Sequence, residues 1–349
     1  MWHKPSHSGS VQRRSAEQVK GAISKRARKL VEQGPLSDRT ITEIRLLSEI
    51  ARANHSHVSL QDITALTSTE LDETQVRAAL ETTPRFRTSF ELKQDLVVDR
   101  TEHISEKSLL SGLRERKSRA EQFIRSARSF QRLCHTRETT VLSVSGSTSY
   151  YSTMPGDDLD FFTITKQDTL WIFLFKSLIL ARTYRLLHPA FPKICFSYAI
   201  DGRYARNAFA TDDILFARDA LNAVVLHGQD FYGTLLKQNP WMANYFPQLY
   251  QLKTNTPREK ASESSSNKNP FSRFLNLFLY LTLGPYLQIK SALLNRSLQQ
   301  KRMTGSLFTI RSGPDHFVLE SIRYKRLRKM YDRLGETIRA AASTADIGK

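Results

Sequence analysis

Val141-Leu-Ser-Val-Ser-Gly-Ser-Thr-Ser-Tyr-Tyr-Ser-Thr-Met-Pro-Gly-Asp-Asp-Leu-Asp-Phe-Phe-Thr-Ile-Thr165 holds the chemistry legible in this 349-residue chain. Val141 to Ser145 reads as a short strand, and Leu159 to Thr165, rich in Phe, Ile and Thr, as a second. Residues two apart on a strand point to one face, so Asp158 and Asp160 project together while Leu159 turns to the core. Two parallel carboxylates repel unless a cation lies between them. Mg²⁺ suits such a pair because it takes carboxylate oxygens and fills its remaining positions with water and phosphate. Gly146 lets the backbone approach a ligand closely. Ser147 adds a hydroxyl and opens a predicted helix whose free N–H groups favour phosphate.

Gly146-Ser147 after an apolar strand, a ten-residue gap, and Asp158-Leu-Asp160 leading into apolar residues resemble the signature of the nucleotidyltransferase superfamily, with its DNA polymerase beta-like fold. The resemblance implies an α+β chain: a mixed sheet flanked by helices. It also implies transfer of a nucleoside monophosphate from an NTP to an acceptor, with two Mg²⁺ ions clamping the attacking and leaving oxygens. Carried onto this sequence, Asp158 and Asp160 would hold metal, and Gly146 and Ser147 would hold the β- and γ-phosphates. The superfamily usually supplies a third acid from a later strand. The next strand, Lys193-Ile-Cys-Phe-Ser-Tyr-Ala-Ile-Asp201, has Ser197 at its centre, which leaves Asp201 as the provisional third carboxylate. Asp201 also precedes Gly202, and Asp-Gly is a turn signal. Asp212 and Asp213 are poorer candidates.

The net charge of +18 points to an anionic partner: nucleotide, nucleic acid or an acidic surface. Cys134 and Cys195 form no metal or disulfide framework and suit the core of a protein in a reducing compartment, so a cytoplasmic location is expected. His55 and His57 lack partners at zinc-like spacing. Phe274 to Ile289 is apolar, but Asn276 and Gly284-Pro285 interrupt it. It is therefore expected to be a packed or interfacial helix and not an integral membrane span.

The chain divides into a basic tail (1–38), a winged-helix-like domain (39–105), the nucleotidyltransferase domain (106–250), a Ser/Asn/Pro-rich linker (251–270) and a C-terminal helical region (271–349). Within 39–105 the expected elements are helices at Thr40–Ala53, Gln61–Thr67 and Leu71–Leu80, then a hairpin wing from Arg85 to Val98. Arg39 to Glu102 carries eleven acidic and eight basic residues, a net charge of −3. Phosphate neutralisation supplies most non-specific DNA affinity, so the segment reads as a docking or packing domain and argues against sequence-specific DNA binding. Lys107 to Leu133 is a basic helix leading into the signature strand, and contact with triphosphate is one role open to it. Asp212 to Leu226 is expected to be helical, and Gly305 to Val318 a loop or strand containing Arg311 and His316. The winged-helix-like front, the signature and the Gly313-Pro-Asp-His316 tail together resemble a group of prokaryotic nucleotidyltransferase-domain proteins.

The expectation is thus a metal-dependent nucleotidyltransferase whose acceptor is RNA, protein or a small molecule. Two alternatives stay open: a nucleotide-binding sensor with weak turnover, and a basic nucleic-acid-binding regulator.

Overall fold

The computed structural model describes residues 36–53, 58–101, 104–134, 136–255, 269–303 and 307–347. Most of the basic tail, His55, His57 and most of the Ser/Asn/Pro-rich linker lie outside the described residues. The architecture is mixed α and β, with one three-stranded and one six-stranded sheet.

The N-terminal unit runs α1 (Asp38–Ala53), β1 (Val58–Ser59), α2 (Leu60–Leu66), α3 (Glu73–Thr82), α4 (Pro84–Ser89), β2 (Phe90–Lys93) and β3 (Leu96–Asp99). Its antiparallel sheet has the order β1-β3-β2. Reciprocal caps start two of the helices: Ser59 with Asp62, and Asp72 with Gln75. The hairpin begins later than its alternation suggests, because Pro84 sits in the first turn of α4 and removes Arg85 to Ser89 from it. Ile44, Ile63, Val76, Phe86 and Val97 form the core of the unit. Leu47 and Ile50, on the other side of α1, join the larger core together with Tyr331, Leu334 and Ile338 of the C-terminal helix.

Helix α5 (Glu106–Cys134) leads into β4 (Thr139–Val144), the single turn α6 (Gly146–Ser149), β5 (Leu159–Thr165), α7 (Leu170–Leu187) and β6 (Ile194–Asp201). Strand β4 is antiparallel to β5, and β5 is parallel to β6, with α7 as the crossover. Leu170, Trp171, Phe173 and Leu174 of α7 are buried with Phe161, Phe196 and Leu142 on one face of the sheet. Val141, Phe162, Ile164 and Ile200 face a second core built with α8 (Gly202–Ala210), α9 (Ile214–Asn222) and α10 (Gln229–Lys237). After a 3₁₀ turn at Pro240–Asn244, α11 (Pro247–Thr254) packs on α2.

Two further stretches differ from the sequence reading. The expected helix over 212–226 ends at Asn222, and Val224–His227 forms β7, an edge strand on β4. Strand β7 turns into α10 through Gly228, whose φ is +78° and where a Cβ would lie 2.0 Å from the Thr140 carbonyl oxygen. Gly228→Ala should therefore cost about 2–3 kcal/mol, read as a lower urea midpoint at unchanged slope. The second difference lies in the C-terminal region, which is not purely helical. Between α12 (Pro270–Gln300) and α13 (Ile322–Ile347), strands β8 (Phe308–Ser312) and β9 (His316–Ser321) form a hairpin whose inner strand pairs with β6. The large sheet thus has the order β7-β4-β5-β6-β9-β8. Helix α12 also continues through Pro285, so it reaches 31 residues and is long and apolar enough to cross a membrane.

Candidate functional site

The chain leaves β4 at Ser145, whose N–H donates to the Asp160 carbonyl at 2.9 Å. The backbone entering Gly146 is thereby tied to the backbone of Asp160. Gly146 has φ +62°, a left-handed conformation that favours glycine. A Cβ there would sit 2.5 Å from Asp160 Oδ2. The missing side chain is what lets the turn and the carboxylate lie against each other. Ser147 Oγ donates to Asp157 Oδ2 at 2.7 Å, and the Met154 N–H donates to the same oxygen at 2.8 Å. Asp157 and Ser147 therefore brace the loop between β4 and β5. As α6 is one turn long, any anion binding there rests on individual N–H groups and not on a helix dipole.

The structure brings Gly146, Ser147, Asp158 and Asp160 together at one end of β5. Asp158 precedes the first strand residue and accepts from Lys193 Nζ at 2.9 Å, across the mouth of the parallel β5–β6 pair. Asp160 is opposite Cys195 on β6 and interacts with the side chains of Cys195 and Ser197. Burial, followed by the negative charge of Asp158, pushes the Asp160 pKa up to about 7. Hydrogen bonds from Cys195 and Ser197 act the other way without cancelling it. Burial and the Asp160 charge likewise push the Cys195 thiol up, which marks it as a neutral neighbour and not a thiolate nucleophile.

Asp201 is not part of this cluster. In the β5–β6 register it lies opposite Thr165, six residues beyond the Cys195 pairing, or about 20 Å along the strand. Its buried carboxylate caps α8 by accepting from the Arg203 and Tyr204 N–H groups, and it also accepts from the Asp168 N–H. The Asp-Gly signal at 201–202 therefore marks a helix start and not a metal ligand. Asp213 caps α9 and pairs with Arg328, while Asp212 accepts from Tyr245 Oη at 3.1 Å. His316 bonds Asp315 and stacks on Tyr204, and Arg311 pairs with Glu320 across the hairpin.

Beside the carboxylates opens a cleft of about 460 Å³, lined among others by Arg119, Phe123, Asp158, Arg185 and Lys193. Arg119 belongs to the basic helix α5 and donates to the Thr153 carbonyl at 3.0 Å. Arg185 and Lys193 went unremarked in the sequence. The signal for Lys193 was its place immediately before a strand parallel to β5, which sets it across from Asp158.

Burial and then the Asp158 charge draw the Asp160 pKa up to about 7, and such a pair of carboxylates fits one hard divalent cation, which would relieve the repulsion. Where a third acid is expected, β6 presents Cys195 and Ser197. Among the described residues there is no group of three or more His, Cys, Asp or Glu side chains arranged to hold a metal. No protein-family model matches the chain, and searches of curated proteins and of solved structures find nothing similar to it.

Proposed function

We propose that this protein is a Mg²⁺-dependent nucleotidyltransferase working at Asp158 and Asp160. The observation that carries the reading is the contact between Gly146 and Asp160, where a Cβ would lie 2.5 Å from the carboxylate oxygen. A glycine-serine turn pressed against the second acid of an Asp-x-Asp strand is what the superfamily chemistry asks for. The succession α5-β4-α6-β5-α7-β6, with antiparallel then parallel pairing, supports the same reading. On this reading Asp158 and Asp160 would hold Mg²⁺, and a bound ion would supply charge neutralisation for the phosphate oxygens. A second ion would depend on the phosphates of the nucleotide for its remaining ligands. Arg119, Arg185 and Lys193 offer the triphosphate three cationic side chains in the cleft. Lys193 pairs with Asp158 at 2.9 Å and would be available to phosphate if Asp158 held a metal instead.

The test is transfer of label from each NTP, radiolabelled on the α-phosphate, to components of a cell lysate, comparing wild type with Asp158→Ala/Asp160→Ala. Labelled product that disappears in the double variant is expected, and its identity gives the acceptor class: RNA, protein or small molecule. Gly146→Ala should abolish Mg²⁺-dependent NTP binding, read by titration calorimetry, because its Cβ displaces the Asp160 carboxylate and its φ is unfavourable for alanine. NTP binding that survives in Gly146→Ala would sink the assignment of this turn.

A second reading is a nucleotide sensor without efficient turnover. Cys195 and Ser197 at the place of the third acid, with Asp201 committed to capping α8, favour it. Tight NTP binding with no pyrophosphate release would select it. We read the N-terminal unit as a winged helix turned to packing: its α1 presents Leu47 and Ile50 to α13, and its charge lacks the footprint of a DNA reader.

A further inference from the structure

We propose that α12, resting on α7, docks the protein on the surface of an anionic lipid bilayer. Large apolar side chains exposed to solvent are concentrated on these two helices: Phe271, Phe274, Leu281 and Ile289 are each more than 60 % exposed, and Leu186 at the end of α7 is 82 % exposed. Phe271, Phe274, Phe278, Leu281, Pro285 and Ile289 recur at intervals of three and four, which places them along one side of the helix. A monomer exposing a contiguous apolar face of this kind presents an interaction surface.

The opposite side of α12 is fixed to the body of the protein. Asn276 is buried; its Oδ1 accepts from the Trp171 N–H at 2.7 Å and its Nδ2 donates to the Pro314 carbonyl at 3.1 Å. Gly284 lies against Tyr280 and Trp171, and Ser291 is also buried. Crossing a bilayer would break those bonds and strand Asn276 in hydrocarbon, whereas lying along the surface leaves them intact.

Charge identifies the occupant. Neither α7 nor α12 contains an Asp or Glu, and together they carry Lys176, Arg182, Arg185, Arg273, Lys290 and Arg296. Arg182, Arg273, Lys290 and Arg296 are exposed, and no salt bridge among the described residues involves them. Exposed apolar side chains on helices whose own charged residues are all cations suit insertion among acidic headgroups, where the two attractions add. The inference does not depend on nucleotide chemistry at Asp158 and Asp160.

The test is flotation of the full-length protein with vesicles of phosphatidylcholine alone and of phosphatidylcholine with about 30 % phosphatidylglycerol. Binding to the anionic vesicles should exceed binding to the neutral ones at least tenfold and fall in high salt. Phe274→Glu/Phe278→Glu/Ile289→Glu and, separately, Arg273→Glu/Lys290→Glu/Arg296→Glu should each reduce it tenfold or more. All six positions are on the surface, so circular dichroism and Tm should match wild type. Four results would overturn the proposal: no vesicle binding, equal binding to neutral vesicles, retention after alkaline carbonate extraction as for a spanning helix, or an apolar face that instead mediates a concentration-dependent dimer lost in the Phe/Ile variant.

Discussion

Asp160→Asn is expected to lower Mg²⁺-dependent nucleotidyl transfer about a thousandfold or more while making the metal-free protein more stable at neutral pH. The two effects share one origin. The Asp160 carboxyl is held by burial and by the neighbouring Asp158 charge at a pKa of about 7, well above its value in an unfolded chain. Between about pH 4 and pH 7 the unfolded state therefore binds fewer protons at this site than the native state, and stability falls as pH rises. Above pH 7 the penalty is fully present and constant. Asparagine keeps the shape and removes the charge, so its advantage should be nil near pH 4, grow through pH 7 and then level off. Discounted for the partial solvent exposure of the carboxylate, the gain is about 1–2 kcal/mol, or roughly 2–5 °C in Tm. Saturating Mg²⁺ should stabilise wild type and leave the variant unchanged, narrowing the gap. Calorimetric scans from pH 4 to 8, alongside the label-transfer assay, check both halves. A variant that lost activity and stability together would make Asp160 a structural residue.

The second large effect is expected at Arg218. Its guanidinium lies 3.9 Å from the ring centre of Tyr150 and 5.1 Å from that of Tyr331. It is also 4.0 Å from Asp219, whose carboxylate accepts from the hydroxyls of Tyr150 and Tyr324. Burial already raises the Asp219 pKa, and Arg218 is the charge that opposes this most. Arg218→Met leaves Asp219 uncompensated and should cost about 3–5 kcal/mol, lowering Tm by roughly 10 °C. The loss should be greater at pH 8 than at pH 5, where a proton can replace the missing cation. Arg218→Met/Asp219→Asn should recover much of it, because no unpaired charge is left behind. Tyr150 directly follows the Gly146–Ser149 turn, while Tyr324 and Tyr331 belong to α13. Arg218 thus ties the C-terminal helix to the loop beside the candidate site, and NTP affinity should weaken along with stability in Arg218→Met.

Where local chemistry decided the outcome, the sequence was a good guide. The Phe-, Ile- and Thr-rich run of Leu159 to Thr165, the apolar run of α7 and the glycine-serine turn all specify structure through their own residues. Where tertiary partners decided it, the sequence was ambiguous. Val224 to His227 continues an apolar helical pattern and becomes a strand because β4 offers an unpaired edge. Asp201 had two local meanings, ligand and cap. The β5–β6 register excludes the first by placing it at the far end of the strand from Asp160. Pro285 reads as a breaker, yet α12 runs through it, held from both sides by Asn276 and Ser291. The cationic cleft was least legible of all, since Arg119, Arg185 and Lys193 come from three separate segments that meet only in the folded chain.

The pairing of β9 with β6 has a bearing on biosynthesis. Tyr198 on β6 meets Val318 on β9, so the sheet that carries the candidate site waits for a strand encoded about 120 residues later. While the ribosome is still synthesising that interval, β6 has an open edge ready to pair with any extended segment nearby. A chain arrested before Phe317 would hold every residue of the Gly-Ser and Asp-x-Asp constellation yet carry that edge bare. Messages truncated in this interval should therefore yield insoluble product, and the edge should be covered only once His316–Ser321 has emerged to pair with it.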